Sequence, residues 1–389
     1  MQLSLNPMLT KVCDLAHAYE NDEYMLHRLN HHILNQLPAM LANEQAVRQK
    51  RCNRQLIMQH EQTLFIRLFL IHHKYFYLPN ANVLSSSPRF YKYDDQNYTM
   101  VSEDSIIYDL CSSISNHHRK LMDWKYKTKA HVMKQIKQQS LFQTIPESYT
   151  IQSVLRVLYP TFVSTKSEAK YLLTIIGDIL QKKGSSSSSS SSSLMYLMSS
   201  SKMKPFMTEL DKVALHTVGI NNISSHFLSK YHESHVYENY RLIKMNPDFS
   251  LQLWTELLSV HGLNIMCVAS HYSNRYENAE SYLQRAADED VRAYVCTLKT
   301  MGSPDTMIRL FCDNCIQSTN TNQDQAPAVD QDTVMADQIE WKHVLFSWKH
   351  FLRRFNFPNV VYYNRLKTEL AKRYPYDDEK DSFAHITSK

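Results

Sequence analysis

Apolar side chains along this chain recur mostly at three- and four-residue spacing, the period of an amphipathic helix. Between residues 48 and 71 the set Leu56, Ile57, His60, Leu64, Leu68 and Ile71 predicts helix, within a helical region spanning 1–78. The stretch LPNANVLSSSP at 78–88 breaks that pattern with turn formers. From residue 90 the period changes. Phe90, Tyr91 and Tyr93 lead into the polar Asp94-Asp95-Gln96-Asn97, and Tyr98 to Val101 predicts a return strand. A small β-hairpin is therefore expected at about 90–101. Ser102 is placed as the N-cap of the next helix, with Glu103 and Asp104 in its first turn.

Helical patterning continues over 117–185, punctuated by Pro146 and Pro160. Within it Ala169, Leu172, Leu173, Ile176 and Leu180 share one face. Gly184 opens a run of serines, Ser185 to Ser193, which can bury no apolar area and reads as a flexible tether at 184–193. Helix is expected to resume at Leu194 and to dominate 246–315, where Ser303-Pro304-Asp305 is a strong helix start. Residues 317–338 carry no Lys or Arg and read as a disordered linker. A separate C-terminal module should follow at 339–389. Its first helix carries Trp341, Val344, Leu345, Trp348, Leu352 and Phe355 and ends before Pro358. Its second helix runs from about Tyr363 to Tyr374, and the chain stops abruptly after Ser388-Lys389. The predicted class is mainly α, in helical regions 1–78, 79–183 and 194–316, with one hairpin and a winged-helix-like C-terminal module.

Glycine supports the helical reading. There are five in 389 residues, where an average chain has about 7%. Scarce glycine leaves few positive-φ turns and few places for backbone to crowd a ligand. Neither a phosphate-binding G-x-x-x-x-G-K-[ST] loop, nor a dinucleotide G-x-G-x-x-G, nor a G-x-S-x-G elbow is present. No cofactor and no catalytic residue is assigned. The seven cysteines are irregularly spaced, which points to a reducing compartment rather than a disulfide framework. MQLSLNPMLTKV is too polar for a signal peptide, and no apolar run is long enough for a membrane span, so an intracellular, cytoplasmic protein is expected.

Two motifs have some metal-ligand character. Cys312-Asp313-Asn314-Cys315 is a lone C-x-x-C, whereas a structural zinc needs four ligands. His232-Glu233-Ser234-His235 with Glu238 spaces its ligands by three on an expected helix, where the zincin motif uses four. Incidental thiols and a polar helix face are the simpler readings, and no metal is assigned. Asp288-Glu289-Asp290 reads as a solvated face in a helix over 278–299.

The net charge of +5 is unevenly distributed. Residues 117–137 hold Arg119, Lys120, Lys125, Lys127, Lys129, Lys134 and Lys137 against Asp123 alone, with Trp124 and Tyr126 among them. Residues 340–373 hold Lys342, Lys349, Arg353, Arg354, Arg365, Lys367, Lys372 and Arg373 against Glu340 and Glu369. Two basic islands on an otherwise acidic chain suit phosphates, and interleaved aromatic rings suit unstacked bases. A smaller cluster, Arg48, Lys50, Arg51 and Arg54, lies upstream.

The segment FYKYDDQNYTMVSEDSII at 90–107 resembles the hairpin-then-helix element ahead of the helicase core in poxvirus- and phage-type primase-helicases. The tail pattern ending in YYNRLKTELAKRY is similar to their small winged-helix-like tails, and 150–183 resembles uncharacterised proteins of giant DNA viruses. The resemblance covers about a fifth of the chain and lacks the Walker loop, so it implies nucleic-acid association without ATP hydrolysis. The expected function is a non-enzymatic scaffold binding RNA or single strands in viral replication or gene expression. Its contacts would be the island at 119–137 together with Arg353, Arg354, Arg365, Lys367, Lys372 and Arg373, and reversing Lys125, Lys127 and Lys129 to Glu should abolish binding. The alternatives are a helical protein-interaction adaptor, such as a translation-initiation scaffold, docking through Trp341, Leu345, Trp348, Leu352 and Phe355, and a metal-dependent nuclease.

Overall fold

The computed structural model describes residues 6–79, 89–183, 194–199, 203–232, 236–246, 248–318, 338–355, 357–384 and 386–388. The poly-serine stretch and most of the expected linker lie outside them. The chain is mainly α and divides into two compact units, residues 1–72 with 107–133, and residues 73–106 with 134–389.

The first unit begins with α1 (Asn6–Ala18) and α2 (Glu23–His31). Asp22 caps α2, its carboxylate accepting the Met25 N–H at 3.1 Å. A π-helical stretch, His32–Gln36, then leads directly into α3 (Leu37–His72), so Glu23 to His72 form one rod about 75 Å long at 1.5 Å per residue. Neither α1 nor α2 buries a residue. Only the far end of α3 packs, through Gln62, Phe65, Ile66 and Phe69. Phe65 meets His118 edge-on, ring centroids 4.8 Å apart, and buried Gln62 donates to buried Thr128 at 2.9 Å. His118 joins α4 (Glu103–His117) to a 3-10 turn at Arg119–Trp124, and Thr128 lies in the near part of α5 (Lys125–Gln138).

The second unit opens with the expected hairpin, β2 (Arg89–Tyr93) and β3 (Tyr98–Val101), paired with Tyr93 opposite Tyr98. Asp94 organises the turn by accepting the Gln96 and Asn97 N–H groups, and Asp95 takes the left-handed conformation there. Ser102 accepts the Ser105 N–H, the predicted cap of α4. The helical reading of 1–78 ends too late. Lys74–Leu78 is a third antiparallel strand, β1, whose aromatic run KYFYL suits a half-buried pleated surface.

α6 (Ser148–Leu158), α7 (Lys166–Leu180), α8 (Met203–Val218) and α9 (Leu251–Tyr276) build the centre. A capping box starts α7, Thr165 and Glu168 satisfying each other's N–H groups. α7 is buried well beyond the predicted face, at Tyr171, Thr174, Ile175 and Asp178 as well, because helices pack on more than one of its sides. The hairpin is fastened to α9 by Asn264, which accepts the Tyr98 N–H at 2.9 Å and donates to Asn97 at 2.8 Å. It is fastened to α8 by Arg89, whose guanidinium donates to the Leu215 and His216 carbonyls at the helix end.

The helix expected from Leu194 is instead a strand, β4 (Met195–Met198), parallel to β5 (Phe227–Leu228) and β6 (Tyr240–Ile243). This sheet partitions two cores, which is why β4 is apolar without alternation. Tyr196, Met198 and Ile243 join the core around α7 and α9, and Leu197, Tyr240 and Leu242 join a second core.

The expected helix over 278–299 is three short ones, α10 (Ala279–Arg285), α11 (Glu289–Val295) and α12 (Thr297–Met301), followed by α13 (Pro304–Cys315) from the predicted Ser303-Pro304 start. The ends of the expected linker are strands, β7 (Ile316–Ser318) and β8 (Gln338–Glu340). Beyond them come α14 (Trp341–Arg354), α15 (Tyr363–Ala371), β9 (Tyr376–Asp377), β10 (Ser382–Ala384) and β11 (Ile386–Ser388), the last paired with β7. Strand order β8-β10-β9, antiparallel throughout with α14 and α15 between β8 and β9, makes this tail winged-helix-like. The tail does not stand apart. Trp348, Phe351, Leu366 and Phe383 pack in the second core with Phe311 of α13 and Leu242 of β6, so the apolar face read as free is the inner wall of that core.

Candidate nucleic-acid interface

The first basic island is presented by the 3-10 turn and α5. The turn exists because buried Leu121 anchors it while Arg119, Lys120 and Met122 stay exposed. α5 turns Thr128, Val132, Met133 and Ile136 inward, which decides where its cations go. Lys127, Lys134 and Lys137 are exposed, whereas Lys125 and Lys129 flank the buried positions and are half-covered. Lys134 and Lys137 fall in the second unit. In the first unit the Lys127 ammonium sits 4.3 Å from the Trp124 ring centroid, a cation–π contact that holds both groups side by side. Tyr126 is 87% exposed, the most open of the large apolar side chains among the described residues. Exposed Lys120 reaches half-buried Glu61 at 3.8 Å, a weak pair that a phosphate could displace. Arg119, Lys120, Trp124, Tyr126 and Lys127 thus share one short stretch of surface-facing chain.

Half of the cations of the second island are paired with carboxylates in or near it. Arg365 pairs with Asp305 at 3.2 Å, Lys372 with Glu369 at 2.7 Å, and Lys342 with Glu340 at 2.5 Å. Lys367 lies 4.5 Å from the Tyr376 ring centroid and 3.0 Å from Asp381. The Tyr376 hydroxyl and the Asp381 carboxylate hold its ammonium above the usual lysine range. The turn between β9 and β10 adds Asp378 and Glu379, so the loop that would be the wing is acidic. Arg353, Arg354 and Arg373 are exposed.

The predicted docking face is spent inside the protein. Trp348 is fully buried, edge-on to Phe311 at 5.0 Å, and Leu352 is buried beside it. Trp341 and Leu345 are half-buried, and Phe355 remains exposed.

His232 and Val236 lie in irregular chain, and Tyr237–Asn239 is a 3-10 turn, so the helix expected there is absent on both flanks of Glu233–His235, which lie outside the described residues. Cys312 is buried at the end of α13, where burial pushes its thiol up. Among the described residues no three His, Cys, Asp or Glu side chains converge as a metal cluster would. Asp288, Glu289 and Asp290 are exposed at the start of α11, where carboxylates meet the positive end of the helix.

Two polar constellations escaped the sequence reading. Arg241 of β6 is buried and forks onto Glu280 of α10 at 2.8 and 2.6 Å. Asp178 of α7 accepts the Ser273 hydroxyl at 2.5 Å and the Ala279 N–H at 2.7 Å, and burial raises its carboxyl above the usual range. Nothing in local spacing announces either pair, since their partners lie far apart in the chain. Both brace helices and strands rather than line an open site. A small apolar cleft bordered by Val163, Glu168, Tyr171, Lys244, Val291 and Tyr294 has its one carboxylate, that of Glu168, already occupied in the α7 cap.

No family model matches this chain, and no curated protein matches its sequence. No helix among the described residues is long and apolar enough to cross a membrane.

Proposed function

We infer that this protein is a helical scaffold that binds single-stranded nucleic acid, RNA foremost, through the first-unit surface made by Arg119, Lys120, Trp124, Tyr126 and Lys127. Viral replication or gene expression, the setting the resemblance implies, belongs to the same proposal. One observation carries it: an indole braced by a lysine ammonium at 4.3 Å, next to a tyrosine that is almost fully exposed and two further cations. Every base offers a π-face, and every nucleotide a phosphate, so such a surface takes single strands with little sequence preference. The half-paired second island contributes Lys349, Arg353, Arg354 and Arg373 at most. The test is anisotropy of a labelled mixed-sequence RNA oligonucleotide titrated at several salt concentrations. Affinity should fall steeply with salt as condensed counterions are released. A salt-independent isotherm, or none at all, overturns the reading.

The adaptor reading has one observation in its favour, the bare apolar surface of the α1–α3 arm. The helix at 341–354 does not favour it.

A further inference from the structure

One side of α3 changes character along its length. Phe69, Phe65, Gln62 and Met58 follow one another at steps of three or four residues, so they stack on one side of the helix. Phe69, Phe65 and Gln62 are buried, and Met58 is half-buried. The same steps then reach Arg54 and Arg51, both exposed. Arg51 precedes Phe69 by about five whole turns at 3.6 residues per turn, so the two lie in line. Exposed Lys50, four residues before Arg54, borders them. The cover over Gln62 comes from α5, and Lys120 of the 3-10 turn meets Glu61 beside it, all within one compact unit. The cations therefore begin one turn beyond the last covered residue, on the side of α3 where the elements bearing Trp124 and Lys127 are packed.

Their sign is uniform. Between Glu44 and Glu61 the helix carries Arg48, Lys50, Arg51 and Arg54 and no acidic residue. None of the four forms an ion pair among the described residues. A face kept polar for solvent alone interleaves both signs. Here Lys50 and Arg51 each repel Arg54 across one helical turn, which weakens the helix unless anions stand between them.

We propose that the strand held at Trp124 continues along this stripe, its phosphates passing Arg54 and Arg51 to Lys50. The proposal rests on the nucleic-acid reading and gives it a footprint. From Glu61, where Lys120 sits, Arg54 and Lys50 lie about 10 and 16 Å along the rod at 1.5 Å per residue. At ~3.4 Å per stacked nucleotide, that length takes about five nucleotides beyond the stacking surface. Between Tyr24 and Phe65 the chain has no Phe, Tyr or Trp. The stripe therefore offers phosphates a row of cations and offers bases no ring, so it adds affinity and salt dependence without sequence preference.

The experiment is anisotropy of two labelled mixed-sequence RNA strands, of about five and about twelve nucleotides, over a salt series. The full chain is compared with a triple variant, Lys50→Gln with Arg51→Gln and Arg54→Gln. Glutamine keeps helix propensity, so the circular-dichroism spectrum should not change. The variant should bind the long strand about tenfold more weakly at low salt, and its plot of affinity against salt should be shallower by about 2, the share of three phosphates. The short strand, which the Trp124 surface alone can hold, should bind both proteins alike. A long strand bound by both proteins with equal affinity and slope overturns the proposal. So does a short strand weakened as much as the long one, because the cations would then act as a general field and not as a track. Trp124→Ala separates this failure from that of the parent reading. If it weakens the long strand where the triple change does not, the track alone falls; if the wild-type chain binds neither strand, both fall.

Discussion

Gly177 of α7 lies so close to Ala269 of α9 that a Cβ on residue 177 would stand 2.1 Å from the Ala269 carbonyl oxygen. The neighbour is backbone in the middle of a long helix, so it has no rotamer by which to yield. Gly177→Ala should therefore push apart the two most heavily packed helices and destabilise the protein by about 3 kcal/mol. Gly262 makes an instructive contrast. Its added Cβ would meet the Val213 side chain at 2.3 Å, and a side chain is able to rotate or shift. Gly262→Ala should cost about 1–2 kcal/mol. Urea unfolding of both variants checks the order; equal losses would show that α9 moves freely against α7.

The Arg241–Glu280 fork ties the parallel sheet to α10. Removing Glu280 leaves the buried guanidinium with the Glu238 and Tyr240 carbonyls but no countercharge. Glu280→Ala is expected to cost about 3 kcal/mol, while the double change Arg241→Met with Glu280→Met should recover most of that loss. A double-variant cycle on unfolding free energies measures the coupling, and a value near zero would mean that water replaces the carboxylate.

His271, half-buried on α9, has its imidazole pushed below the usual value of 6.5, first by burial and then by nearby Arg275. A base depressed in the fold favours its neutral form there. Its contribution to stability is complete above 6.5 and is lost as pH falls through the depressed value. Replacing it with Gln, which does not titrate, should flatten part of the stability loss between about pH 7 and 5. The check is the difference between the two proteins' unfolding curves across that window, since other histidines contribute equally to both. An unchanged slope would place the imidazole in contact with water.

Local chemistry makes much of this fold readable in advance. The Asp94–Asn97 turn, the Ser102 cap and the Ser303-Pro304 helix start depend on residues within a few positions of one another, and all three are where the sequence puts them. What fails depends on distant partners. β4 reads as helix because a strand buried on both faces shows no alternation, and the period alone cannot separate it from a buried helix. The face of α14 reads as free because its cover, Phe311, comes from before the expected linker. Of the candidate site, charge and aromatic content are legible. The division of α5 into exposed Lys127 and half-covered Lys125 and Lys129 is not, because it follows from which side of the helix meets Gln62 and its neighbours.

That division changes which variants test the nucleic-acid reading. Reversing Lys125 and Lys129 risks the packing of α5, whereas Lys127, Arg119 and Lys120 are exposed and can be changed without touching the core. Trp124 and Lys127 touch each other and yet should fail in different ways. Loss of the indole removes a stacking platform worth about 1–3 kcal/mol per base, so Trp124→Ala should weaken RNA binding about tenfold or more at every salt concentration. Its plot of affinity against salt should keep the wild-type slope, because no phosphate contact is lost. Lys127→Gln removes one cation, and the slope should become shallower by about 0.7, the share of one phosphate on a single strand. Anisotropy titrations of both variants over a salt series separate the two effects. If neither variant changes affinity or slope, the strand does not bind beside Trp124, and the surface is a solvated face whose lysine merely shields an indole.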